Sequence, residues 1–104
     1  MSLEYIKSFE EFTNIVSSGY VVVNFTAQWC GPCKQLTPKL EELLTAYPNI
    51  MIYKVDVDEC VDIAEAHQVE AMPTTVFFKD GEIQKQKVMG ADIQKIRKMI
   101  AEIY

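Results

Sequence analysis

One histidine and three cysteines are all the imidazole and thiol ligands that this 104-residue chain has to offer a metal. A structural zinc site asks for about four ligands, so a single CxxC pair, an isolated Cys60 and a lone His67 make a poor set. Proline and glycine are sparse too, four of each and scattered, which leaves no linker, repeat or low-complexity segment. No apolar run approaches the roughly 20 residues of a membrane span. Basic residues are outnumbered 10 to 15 by acidic ones, and the net charge of −5 argues against general affinity for nucleic acid or an anionic membrane. Met1-Ser2-Leu3-Glu4 offers neither a basic leader nor an apolar stretch, so a cytoplasmic protein is expected. Three cysteines are also too few for a disulfide framework; in a reducing compartment a CxxC pair plus one spare reads as catalytic.

With 49% hydrophobic residues, the chain should bury one core in one domain covering residues 1–104. Leu3 to Ile6 reads as a short opening strand. Ser8-Phe9-Glu10-Glu11 is a capping box, with Ser8 accepting from the Glu11 N–H and Glu11 reaching back to Ser8. The helix that follows carries Phe9, Phe12, Ile15 and Val16 on one face and should stop near Gly19. Tyr20 to Ala27 is nearly all apolar, the pattern of a central strand buried on both faces, and Ile50 to Val57 reads as another. Between them Leu36, Leu40, Leu43, Leu44 and Tyr47 recur at helical spacing from about Cys33 to Tyr47, with Pro38 expected to kink that helix. Strand, helix, strand implies a right-handed crossover joining a parallel pair.

A short third helix is expected from Asp58 or Glu59 to His67. Asp80-Gly81 between Thr74–Lys79 and Glu82–Met89 is a two-residue hairpin signal, and Asp92 can cap a last helix bearing Ile93, Ile96, Ile100 and Ile103. The sum is an α/β fold, a central mixed sheet of about five strands flanked by four helices.

Cys30-Gly31-Pro32-Cys33 falls where the apolar strand ends and the helical pattern begins. Two cysteines at that spacing reach each other across one turn. The first lies at a helix N-terminus, where unpaired N–H groups and the helix dipole favour a thiolate. Cys30 is therefore the better attacking thiol, and Cys33, one turn inside, the less exposed resolving one. Gly31 lets backbone approach a partner, and Pro32 presets φ for the helix start. Dithiol–disulfide exchange is favoured over zinc and over two unrelated buried cysteines. Cys60, among Asp58, Glu59 and Asp62, reads as a quiet structural thiol and His67 as a surface or packing residue. The acidic residues Asp56, Asp58, Glu59, Asp62 and Glu65 lack calcium-loop spacing and read as a solvated face.

At this point the chain resembles the thioredoxin family. Trp29-Cys30-Gly31-Pro32-Cys33-Lys34 is similar to the family's active-site signature. The likeness continues through Val23-Asn24-Phe25-Thr26-Ala27, Pro38, Lys54-Val55-Asp56-Val57-Asp58, Met72-Pro73-Thr74, Phe78-Lys79-Asp80-Gly81 and Gly90-Ala91. It covers essentially the whole chain in order. The resemblance implies the thioredoxin-like fold and a protein-disulfide reductase with no bound cofactor. Electrons would come from thioredoxin reductase, an NADPH-dependent flavoenzyme. Implied targets are ribonucleotide reductase, peroxiredoxins and methionine sulfoxide reductases, met by a monomer.

The resemblance also implies that Pro73 is a cis proline facing the disulfide, where the residues alone would equally allow a plain turn. Trp29, Gly31, Pro32, Met72, Pro73, Gly90 and Ala91 then form the docking groove, with backbone beside Pro73 pairing to an extended target segment. Asn24 departs from the pattern. The family usually has a buried Asp there, thought to exchange a proton with the inner cysteine, and an amide cannot ionise near neutral pH. A water chain or the amine of Lys54 on the neighbouring strand can substitute in part; without a carboxylate partner, Lys54 otherwise snorkels to solvent. A slower resolving step with a weaker pH dependence is the expectation. The rival is a binding module that keeps the fold and uses the groove only for docking.

Overall fold

β2, Tyr20–Thr26, organises the molecule because its residues alternate between two dry layers. A strand's side chains point to opposite faces in turn. Val21, Val23 and Phe25 pack on one face with Phe12, Val16, Ile63 and Phe78. Val22 packs on the other with Leu36, Leu40, Leu43, Ile96 and Ile100. Both faces are covered, which is why the sequence there is almost continuously apolar.

The computed structural model describes residues 2–104. In chain order the elements are β1 (Glu4–Tyr5), α1 (Phe9–Val16), β2, α2 (Gly31–Ala46), β3 (Ile50–Asp56), α3 (Val61–Ala66), β4 (Thr74–Lys79), β5 (Glu82–Met89) and α4 (Ile93–Ile103). The five strands lie in the order β1-β3-β2-β4-β5. β1 and β2 run parallel to β3, while β4 is antiparallel to both β2 and β5. The mixed sheet with four helices is the expected one.

Local chemistry sets most boundaries. Ser8 accepts from the Glu11 N–H at 3.1 Å, but Glu11 departs from the expected box: its carboxylate takes the Lys7 N–H at 3.1 Å, one residue earlier than Ser8. Asp80 and Gly81 both have positive φ, 50° and 88°, the conformation that a two-residue hairpin turn requires. The turn is tied to the α1–β2 loop: Asp80 N–H donates to the Gly19 carbonyl at 2.9 Å, and Gly19 N–H to the Asp80 carboxylate at 3.0 Å. Asp92 caps α4 through the Lys95 N–H at 3.0 Å.

Two helices start elsewhere than periodicity predicts. α2 begins at Gly31, with Cys30 as its cap, and runs on through Pro38 to Ala46. α3 begins only at Val61. Asp56 is the reason: it is buried, not part of a solvated face, and its Oδ1 accepts from the N–H groups of Asp58 at 2.8 Å and Glu59 at 3.3 Å. That turn occupies the residues that would otherwise open the helix.

Candidate active site

β2 ends at Thr26, and after four intervening residues the chain enters α2 at Gly31. Cys30 is the cap: its backbone is extended (φ −91°, ψ 106°) and its Sγ accepts the Cys33 N–H at 3.2 Å. Pro32 occupies the first turn, where its missing N–H costs nothing. Cys30 and Cys33 form a disulfide, with Cα atoms 5.3 Å apart. The bonded Cys30 sulfur stands where the thiolate forms on reduction, against an N–H aimed at it and at the positive end of a 16-residue helix.

The outer sulfur is less open than expected. Cys30 is 4% exposed and Cys33 1%, so the order is the expected one but both are covered. Ala27, Cys33, Val57 and Met72 pack around Cys30 at the first turn of α2. Trp29 is the open residue, at 69% exposure. Its indole Nε1–H donates to Asp58 Oδ2 at 2.9 Å. β2 and β3 are parallel, so the loops that follow them emerge at the same end of the sheet, and that shared exit was the available signal for the Trp29–Asp58 contact.

Of the expected groove residues beyond the turn itself, Met72 packs against it. The Met72–Pro73 peptide is cis. Pro73 is buried, and its carbonyl accepts the Gly90 N–H at 2.7 Å, which joins the two segments. Gly90 has φ +96°, a conformation costly for any residue with a Cβ. Trp29, Gly31, Pro32 and Ala91 are exposed, Met72 and Gly90 partly so.

Asn24 of β2 and Lys54 of β3 are cross-strand neighbours. Asn24 is 1% exposed, and its Nδ2 donates to Thr75 Oγ1 at 3.0 Å, so the amide is a satisfied buried group. Lys54 does not snorkel freely: its Nζ sits 4.4 Å from the centroid of the Tyr5 ring. Cys33, Lys34, Thr37, Tyr5 and Lys54 line a pocket of about 260 Å³ behind the disulfide. Tyr5 and Thr75 were not legible as site residues, because only cross-strand register brings them there.

The remaining candidates lie elsewhere. Cys60 is buried, its thiol directed to the Ile6 carbonyl at 3.5 Å. Burial pushes that thiol's pKa up, and the carboxylates of Asp62, Glu59 and Asp56 push it further, so it stays protonated and quiet. His67 is a packing residue: its ring lies 5.0 Å from Phe12 and 5.5 Å from Phe25, with Nδ1 2.8 Å from the Ile63 carbonyl.

The thioredoxin family model matches residues 5–102. The chain is 43% identical over 96 residues to thioredoxin-1 of Saccharomyces cerevisiae, covering 91% of this chain and 92% of that one. It is 41% identical over 102 residues to thioredoxin-2 of Pyricularia oryzae; that match takes in 97% of this chain but 59% of the longer relative. A chain in the solved structure on thiol resolution in yeast mitochondrial 1-Cys peroxiredoxin via glutathione/thioredoxin systems superposes with a TM-score of 0.93. It is 39% identical, with 98% of this chain and 96% of that one covered. A capped CxxC disulfide, a cis proline and likeness along nearly the whole length point one way: this chain belongs to the thioredoxin family, protein-disulfide reductases that work by dithiol–disulfide exchange.

Proposed function

We propose that Cys30 is the attacking thiol, Cys33 the resolving thiol, and Lys54 the group that eases resolution where Asn24 cannot act as a base. The observation that carries the reading is Cys30 Sγ capping α2 while bonded to Cys33. The reduced Cys30 thiolate attacks one sulfur of a target disulfide. The target's S–S bond breaks, a mixed disulfide forms, and the other target sulfur leaves as a thiolate that takes a proton from solvent. Cys33 then loses its proton to water, and its thiolate attacks Cys30 Sγ. The mixed disulfide breaks, the second target sulfur leaves as a thiolate that takes a proton from solvent, and the Cys30–Cys33 disulfide closes. Two electrons have passed to the target. The second attack is intramolecular, which gives it a high effective concentration.

Asn24 donates an amide N–H to Thr75 and carries no ionisable group, so proton removal from Cys33 falls to water in the adjoining pocket. Lys54 on the wall of that pocket supplies positive charge that stabilises the Cys33 thiolate. The groove takes an extended target segment. Pro73's carbonyl is committed to Gly90, so the segment pairs with the backbone on the Met72 side, between the exposed Trp29 and Ala91.

Reduction of the disulfide is assigned to thioredoxin reductase, by family likeness. Peroxiredoxins, ribonucleotide reductase and methionine sulfoxide reductases are the proposed targets, the first supported by the peroxiredoxin-linked relative described above. A cytoplasmic monomer is the proposed state, since a reductase works where its donor keeps thiols reduced. The test is insulin reduction followed by turbidity, with Cys30→Ser beside the wild type. Rapid precipitation that the substitution abolishes is expected; no precipitation by the wild type would make the groove a docking surface alone.

A further inference from the structure

One row of residues crosses the entire sheet on the face that carries α2. Tyr5 of β1 lies opposite Lys54 of β3, Lys54 opposite Asn24 of β2, Asn24 opposite Thr75 of β4, and Thr75 opposite Val88 of β5. Directly opposed residues project to the same face, within contact of each other. The row therefore reads ring, cation, amide, hydroxyl, methyls, and its first two members border the pocket that Cys33 lines.

Within that row Lys54 has no carboxylate to hold it. Asn24 turns its amide nitrogen the other way, to Thr75. Among the described residues, none of those lining the pocket is acidic. A lysine has four rotatable side-chain bonds and a strongly hydrated head, so an unheld one spends its time in water. This one is held: its Nζ lies 4.4 Å from the Tyr5 ring centroid, inside the range where the ring's quadrupole attracts a cation.

We infer that Tyr5 is a positioning residue for resolution: its ring keeps the Lys54 ammonium on the wall of the pocket behind Cys33. The inference rests on the reading that Lys54 acts in that step. Cys33 gives its proton to pocket water, and the positive charge held beside it favours the thiolate left behind. A pocket of about 260 Å³ has room for several waters. The other charges near this assembly are of both signs, since Glu4 and Glu11 line a second pocket together with Tyr5 and Lys7. Lys34 of α2 also borders the pocket but is exposed, and Lys7 lies farther from the same ring, with Nζ 5.5 Å from its centroid.

The experiment follows reduced protein reacting with one equivalent of dithiobis-nitrobenzoate by stopped flow across pH. The first thionitrobenzoate released reports attack by Cys30, and the second reports resolution by Cys33. Tyr5→Leu is expected to leave the first phase unchanged, to slow the second about twofold near neutral pH and to move its midpoint up by about half a pH unit. Tyr5→Phe, which keeps the ring, should behave as the wild type. Lys54→Met should slow the second phase at least as much, and adding Tyr5→Leu to it should change nothing further.

If Lys54→Met slows resolution while Tyr5→Leu does not, the role given to Tyr5 is overturned and that of Lys54 stands. If Lys54→Met itself has no effect, the role of Lys54 falls and this one with it. A Tyr5→Leu defect that persists in the Lys54→Met background, or that Tyr5→Phe shares, makes Tyr5 a packing residue and overturns the inference.

Discussion

Asn24→Asp puts a carboxylate back at the centre of the sheet, and the structure dictates what it should do. The site is 1% exposed, flanked by Lys54 on one strand and Thr75 on the other. Protonated, the new acid donates to Thr75 Oγ1 much as the amide now does, so below about pH 4 the variant should match the wild type. Ionised, it is stripped of water, and one half-buried lysine already engaged by Tyr5 compensates only in part. Burial should raise its pKa by about 2 to 3 units. An acid whose pKa is higher in the fold than in the unfolded chain helps most below the unfolded value and loses that help as pH rises through the folded one.

The variant should therefore lose about 3 to 4 kcal/mol relative to the wild type between about pH 4 and 7, and then level off. Resolution should gain a base and a steeper pH profile. The upper bound is the 10²–10⁴ typical of general-base catalysis, and water already supplies part of that. Urea unfolding of both oxidised proteins across this range gives the first quantity, and stopped-flow thionitrobenzoate release gives the second. A stability difference flat with pH would falsify the account of position 24, and so would identical resolution profiles.

Gln68 follows α3 with φ +53°, a conformation costly for a residue with a Cβ. Gln68→Gly should stabilise the protein by about 1 kcal/mol in denaturant melts; a loss of stability would show that the Gln68 side chain matters more than its backbone. The raised Cys60 pKa sets an alkaline limit. The ordinary value for such a thiol is 9.0, so its stabilising contribution should be intact below that pH and fall away as pH rises toward the higher folded value. Cys60→Ala should flatten the decline measured by unfolding above about pH 9, and an unchanged slope would remove Cys60 as the cause.

Features set within a few residues of sequence were legible in it. The Ser8 and Asp92 caps, the Asp80-Gly81 hairpin and the Cys30–Cys33 pair each depend on neighbours three residues away or closer. The β2 run was legible because burial on both faces leaves no polar alternation to misread. The start of α3 was not, because the buried Asp56 carboxylate takes the backbone donors that a helix would have used. Glu11 likewise found the Lys7 N–H before that of Ser8. The covering of Cys30 depends on side chains from three separate segments, Ala27, Val57 and Met72. Tyr5 and Thr75 needed strand order and register, both settled by contacts more than 45 residues apart in the chain.

The alternation of β2 has an evolutionary corollary. Val23 and Phe25 answer to the layer beneath α1 and α3, while Asn24 between them answers only to the opposite layer. A mutation at position 24 can change charge class there without either neighbour in sequence changing a single contact. Reactivity near Cys33 can thus change in one step, at the stability cost worked out above, while packing constrains the far side of the sheet.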